Sequence, residues 1–270
     1  MTTETPTLWH IPISHYSEKT RWALDHKGIA YDRRAPFPGV HIPVALWLTR
    51  GRCPTLPVLE LEGKRIGDST VIIAALEERF PEPRLYPADA EERRRALELE
   101  EVFDEELGPA IRRYAFHQLR QDHELFARLS ARMAPRPLAR FGRLGGAYGR
   151  GYTALRFGAA SAAGAERGRA KVEAALDRLE AELDGGDYLV GDAFTVADLT
   201  AAALLYPLVL PPEGPLVLDR IPEDYDRFRA GMRARRGFGW VQEMFARHRA
   251  PKMGEGTAAA ETAGRFGVTS

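Results

Sequence analysis

Cysteine is almost missing from this sequence: Cys53 is the only one in 270 residues. A lone thiol excludes an internal disulfide, a structural zinc cluster and an iron–sulfur centre, and it fits a reducing compartment. Net charge is missing too, because 38 Lys+Arg stand against 38 Asp+Glu. Without a field of one sign, general nucleic-acid binding is excluded. Long apolar runs are also lacking: the longest, Ala201 to Leu210, falls well short of the roughly 20 residues a membrane-spanning helix needs. Residues Met1 to Pro6 carry neither the basic nor the apolar stretch of a leader, so a soluble cytoplasmic protein without nucleic-acid or membrane partners is expected. Lysine is scarce, with 33 of the 38 basic residues being arginine, which reads as the mark of a GC-rich genome. What is present is ordinary globular composition, 44% hydrophobic and 28% charged, enough for one large domain or two small ones. Wholesale disorder is excluded.

The first eighty residues alternate strand-like and helical patterns, the mark of an α/β unit. Leu8 to Ile11 reads as a strand, and the turn Pro12 to Ser17 leads into a helix over Glu18 to Lys27 that Gly28 stops. Ile29 to Tyr31 resumes extended structure and Pro43 to Thr49 forms a short helix. Pro57 to Glu62 and Arg65-Ile66 form a hairpin around Gly63 and Lys64. Ser69 to Phe80 is a helix, with Val71, Ile72, Ala75, Leu76 and Phe80 at helical spacing and Pro81 ending it. Pro81, Pro83 and Pro87 mark a linker over 81–88. Beyond it no strand pattern stands out. Glu91 to Gln121 reads as one long helix, kinked at Pro109, that turns Leu97, Val102, Leu107, Ile111 and Tyr114 inward. Glu166 to Leu183 repeats the pattern, and Ala197 to Leu205 is apolar nearly all round, as a helix buried at a domain centre would be. Asp224 to Met232 and Gly237 to Arg249 complete a helical domain over 89–250. Residues 251–270 have little to bury and read as a mobile tail.

Four local segments sharpen this outline. Leu8 to Tyr31 carries Ser14 in the turn before the first helix, and Thr55 to Leu59 carries Pro57. Gly67 to Ile72 opens a helix with Asp68 and Ser69, and Tyr188 to Leu199 contains Thr195 and Asp198. In this order, and with the same succession of elements over residues 7 to 250, they resemble the soluble glutathione S-transferase family. The resemblance implies an α/β thioredoxin-like N-terminal domain over 1–80 and an all-α C-terminal domain, assembled as a homodimer. It implies an enzyme of detoxification that activates glutathione or another low-molecular-weight thiol, without a metal. The thiol would attack a small apolar electrophile by conjugation, epoxide opening, dehalogenation or isomerisation.

A thiol is a weak nucleophile until it ionises, and a hydroxyl donor at a helix N-terminus stabilises the thiolate. Ser14 stands in such a turn. Counted back from Gly28, it falls where the family's serine-type and cysteine-type classes carry their catalytic residue, and the tyrosine-type position falls at His10. The resemblance therefore implies Ser14 as catalytic. His15 replaces the proline of many relatives, which leaves Tyr16 and Ser17 as substitutes. A serine there with no such context would read simply as a helix cap.

The remaining thiol contacts follow from the same resemblance. Leu56 offers its backbone to the cysteinyl part by strand-like pairing beside a cis Pro57, with Pro54 the other candidate for the cis bond. Ser69 and the free N–H groups of its helix receive the γ-glutamyl carboxylate, and Asp68 accepts from the ammonium; either residue also suits an N-cap. Thr55 stands where relatives often carry Lys or Gln for the glycyl carboxylate. His41, Arg50 and Arg52 then compete for that role, although each by itself reads first as a solvated surface residue. The missing cation and the GC-rich signature leave the identity of the thiol open.

Thr195 and Asp198 form a capping box whose role is folding. The segment 121–166 is longer than in typical relatives and rich in aromatics. With Tyr114 and His117 below it, Tyr148 and Tyr152 are expected to shape the electrophile pocket, the alternative being that its aromatics pack the insert or a dimer contact. Cys53 lacks a CxxC partner and reads as a small core residue. Gly142 to Gly151 lacks the lysine and hydroxyl of a phosphate loop, and His117, His123 and Glu124 lack metal-ligand spacing. The competing function is a non-catalytic binding or scaffold module of the same fold. A thiol–disulfide reductase would need a cysteine in place of Ser14.

Overall fold

In the computed structural model the described residues are 5–37, 39–134 and 139–249. The sheet is built from β1 (Thr7–Trp9), β2 (Asp32–Arg34), β3 (Val58–Leu61) and β4 (Lys64–Gly67), in the order β2-β1-β3-β4. Only the β1–β2 pair is parallel. That pair needs a crossover, which α1 (His15–His26) supplies. Gly28, at φ +64, lets the Ile29 N–H reach back to the Leu24 carbonyl and close the helix. The β3–β4 turn places Glu62 and Gly63 both at positive φ, as a two-residue hairpin loop requires. The second strand lies at Asp32–Arg34, just beyond the Ile29 to Tyr31 stretch expected from sequence, because it is a short and wholly exposed edge with no apolar signal to read.

Two helices complete this half, α2 (His41–Leu48) and α3 (Ser69–Arg79). A small apolar cluster of Ala45, Leu48, Leu56 and Val58 sits under α2. On the other face α1 and α3 feed Trp22, Leu24, Ile72, Ile73 and Leu76 into the main core.

The helical half begins with α4 (Ala90–Val102), a π-helical turn (Phe103–Leu107) and α5 (Gly108–Leu119). The long helix expected over Glu91 to Gln121 runs without a gap from Ala90 to Leu119, and its disturbance at Pro109 takes the form of a π turn. Proline has no N–H and its ring crowds the carbonyl four residues back, so the backbone widens just before it and the Gly108 N–H bonds the Phe103 carbonyl. The inward stripe of α4 is corrected. Ala96, Leu99 and Phe103 are buried while Leu97 and Val102 are only half-buried. Residues spaced by five leave one helical face, whereas steps of three and four keep to it.

Next come α6 (His123–Met133), α7 (Gly142–Phe157), α8 (Ala162–Leu183), α9 (Val196–Val209), α10 (Glu223–Met232) and α11 (Arg236–His248). Every residue of α9 is buried. Its start is satisfied by Asp198, which accepts from the Leu189 N–H at 2.8 Å, the Thr195 N–H at 2.8 Å and the Thr195 hydroxyl at 2.9 Å. Trp22 of α1 ties the two halves, stacking on Phe194 and donating from its indole to the His248 carbonyl. The expected tail over 251–270 lies outside the described residues.

Candidate active site

The turn between β1 and α1 is held from three sides. The Ile11 N–H donates to Ser17 Oγ at 3.2 Å, Arg21 donates to the Pro12 carbonyl at 3.0 Å, and Tyr206 of α9 donates its hydroxyl to the Ile13 carbonyl. Arg21 is itself buried, with Glu18 Oε2 at 2.7 Å and His10 Nδ1 at 2.7 Å. Burial, reinforced by Arg21, lowers the His10 pKa to about 3, so the ring is neutral and accepts from the guanidinium. Ser14 caps α1 from this turn: its Oγ accepts the Ser17 N–H at 3.3 Å. The bond uses a lone pair, and the hydroxyl proton stays available for a group in the cavity.

A second anchor lies one turn further along α1. Lys19, fully buried, bonds Glu100 at 2.8 Å, Asp104 at 2.6 Å and the Thr70 hydroxyl at 3.0 Å. This joins α1, α3, α4 and the π turn. Burial raises the Glu100 pKa against the pull of Lys19. Asp104 also accepts Tyr16 through its backbone carbonyl at 2.7 Å. Gly108 is required beside it, since a Cβ there would collide with the Tyr16 hydroxyl.

These elements wall a cavity of about 290 Å³ between the sheet domain and α5, α6 and α7. On its sheet side are Ser14, Tyr16, Leu56, Pro57, Asp68 and Ser69. The Leu56–Pro57 bond is cis, so Pro57 and not Pro54 is the cis residue on this wall. Asp68, at φ +76, caps α3 through Oδ1 alone, accepting from the Thr70 N–H at 2.9 Å and the Val71 N–H at 3.4 Å. Its other oxygen accepts no hydrogen bond among the described residues. Tyr148 and Tyr152 stand on the helical side.

Several expected site residues lie away from the cavity or are engaged by other partners. Ser17 is wholly buried, with its hydroxyl oxygen taken by Ile11, and cannot substitute for Ser14. Tyr16 reaches the cavity, but its proton is committed to the Asp104 carbonyl, and burial followed by the Asp104 charge pushes its pKa up. His41 lines the cavity but is no cation. Its Nδ1 accepts the Gly39 N–H at 3.0 Å, its Nε2 lies 3.1 Å from the Tyr152 hydroxyl, and burial with the nearby Arg156 charge lowers its pKa. Arg50 and Arg52 face a separate groove over β4, together with Cys53. Tyr114 packs into the core against Tyr225 and Phe228, and His117 bonds the Ala159 carbonyl through Nδ1; neither lines the cavity.

Sequence reasoning missed Lys19 and Arg21, which look like ordinary helix-surface charges until the second domain covers them. It also missed Arg112 and Arg156 in the cavity wall, where His15 and Phe157 stand as well. His15 is buried and neutral, its pKa lowered to about 3 by burial and then by Arg112. The one available signal was the run of aromatics in 121–166, which did point to this wall.

The sequence matches the family described as "Glutathione S-transferase, N-terminal domain" over residues 8–84 and "Glutathione S-transferase, C-terminal domain" over residues 162–230. No curated protein matches the chain. Among solved structures, FzlA from C. crescentus is 21% identical with a TM-score of 0.57, over 88% of this chain and 92% of that one. A maleyl pyruvate isomerase, a bacterial zeta-class glutathione S-transferase, is 22% identical with a TM-score of 0.57, over 88% and 90% of the two chains. A glutathione S-transferase from Rhodospirillum rubrum F11 is 23% identical with a TM-score of 0.55, over 87% and 91%. At these identities the likeness is one of fold. The two family matches together take in more than half of the sequence, in the order sheet domain then helical domain, and the chain belongs to the glutathione S-transferase family.

Proposed function

We propose that this protein is a glutathione S-transferase-like enzyme in which Ser14 stabilises the thiolate of glutathione, or of a similar small thiol, for attack on an apolar electrophile. The observation that carries this reading is the state of the Ser14 hydroxyl. It lines the cavity, its oxygen is oriented by the Ser17 N–H, and its proton is uncommitted. The hydroxyl would donate a hydrogen bond to the sulfur, favouring loss of the thiol proton to water, and the positive end of α1 adds to the stabilisation of the negative charge. Once the sulfur is ionised, attack forms the carbon–sulfur bond and the electron pair leaves with the displaced group or, in an epoxide, stays on the opened oxygen.

Three sheet-side features support a peptide-like thiol. The backbone at Leu56 precedes the cis Pro57 on the cavity wall. Ser69, through its hydroxyl and its own N–H, suits the γ-glutamyl carboxylate, since Asp68 already takes the Thr70 and Val71 N–H groups, and the second oxygen of Asp68 suits the ammonium. The Lys19 and Arg21 networks fix α1, so the serine is held in place before the substrate arrives. A homodimer in the cytoplasm acting in detoxification completes the proposal by analogy with the family.

The test is Ser14→Ala in a conjugation assay with glutathione and a chloronitrobenzene. Removing one positioned donor to a developing charge should cut kcat by about 100-fold or more, with a much smaller change in thiol affinity. Wild-type turnover in that variant would refute the role of Ser14.

A further inference from the structure

Two arginines reach the cavity without a counter-ion. Arg112 on α5 and Arg156 on α7 both line it, and neither has a carboxylate within 4.0 Å among the described residues. In this they differ from Arg94, Arg128, Arg169 and Arg227, each of which is paired with a carboxylate on its own helix. The three carboxylates that share the cavity are no substitute. Asp68 caps α3, Asp104 holds Lys19 and Thr70, and Glu105 is exposed and stands apart from both guanidinium groups.

Arg112 is the more telling of the pair. It is largely buried, its Nε has no hydrogen-bond partner, and its guanidinium lies 4.4 Å from the Phe157 ring centroid and 5.8 Å from that of Tyr16. Burial lowers its pKa, and the charge of Arg156 pushes in the same direction. A largely buried guanidinium and an exposed one of the same sign thus act on one wall of the cavity, and an anion joining them would relieve their repulsion. The surroundings are aromatic, with Phe116, Phe126, Tyr152 and Phe157 beside them.

We propose that the helical wall is built for an electrophile that carries an acid group on an aromatic body, its carboxylate taken between Arg112 and Arg156 and its ring laid against Tyr16 and Phe157. This deepens the transferase reading and rests on it for the reaction; the recognition of the acid does not need turnover. An aromatic carboxylate supplies both what the guanidinium groups lack and what the rings stack on.

The test is calorimetric binding of para-nitrobenzoate and of its neutral counterpart para-nitrotoluene, with glutathione present. Wild type should bind the acid about 10-fold more tightly or better, the gain expected of a charge-assisted contact. Arg156→Gln should cut that ratio, and Arg112→Met combined with it should bring the ratio to about one. Arg156 is exposed, so the single variant reads out even where the double one folds poorly. Equal affinities in wild type, or a preference that survives the double substitution, would overturn the proposal. The same variants titrated with glutathione and its glycyl monoethyl ester identify the other source of a carboxylate. Should the arginines discriminate between those two thiols and not between the nitroarenes, the anion belongs to the thiol and the proposal fails. An acid preference in a protein that conjugates no thiol would refute the transferase reading alone.

Discussion

Replacing Asp198 by alanine should remove a large share of the protein's stability without touching its thiol site. The carboxylate is fully buried and accepts the N–H groups of Leu189 and Thr195 together with the Thr195 hydroxyl. Its removal leaves two buried backbone donors without partners, each costing about 1–3 kcal/mol, so a loss of about 2–6 kcal/mol is expected. Against a total of about 5–15 kcal/mol this is a severe defect. Urea unfolding followed by circular dichroism reads it as a lower midpoint at constant slope. Asp198→Asn keeps an acceptor oxygen and should lose less. A loss under about 1 kcal/mol for the alanine variant would refute the reasoning.

The same carboxyl gives a pH signature with a definite sign. Burial, opposed by the three hydrogen bonds, raises its pKa from 3.8 to about 6. The folded state thus holds the proton more tightly than the unfolded chain, and the corresponding stability is full below about pH 4 and lost as pH rises through about 6. At about 1.4 kcal/mol per unit, the gap between wild type and Asp198→Asn should widen by up to about 3 kcal/mol on going from pH 7 to pH 4. A constant gap would show that Asp198 keeps its ordinary titration.

Two further outcomes are expected. Lys19→Met strands Glu100 and Asp104 without their cation and should lower stability by about 3–5 kcal/mol, seen as a fall in Tm that Glu100→Gln partly relieves. Tyr148→Ala with Tyr152→Ala should raise KM for the electrophile more than KM for the thiol, because both rings stand on the helical wall; equal effects would point instead to general loosening of α7.

Local chemistry made part of this site legible. The resemblance to the transferase family singled out Ser14, Pro57 and the Asp68-Ser69 pair, all of which line the cavity, and the Thr195-Asp198 cap is read from its own pattern. Each is a short-range signal that needs no knowledge of the other domain. Lys19, Arg21 and Glu100 were illegible because a charge on an amphipathic helix reads as solvated until a second helix covers it. Tyr114 and His117 share α5 with Arg112, but helical phase turns the first two toward the core and the Ala159 carbonyl and sends Arg112 into the cavity. That phase is set by the π turn before Pro109, which sequence periodicity does not reveal. Arg112 and Arg156, the arginines that line the cavity, lie on α5 and α7 and carry no sequence pattern that distinguishes them from solvated helix charges.

The central claim is that the Ser14 proton stabilises a bound thiolate. Its most direct test is the titration of glutathione bound to the protein, followed by the ultraviolet absorbance of the thiolate, in wild type and in Ser14→Ala. Free thiols ionise near about 8.5, and the account predicts a bound value at least about one unit lower in wild type that returns toward the free value in the variant. The same bound titration in both proteins would contradict it.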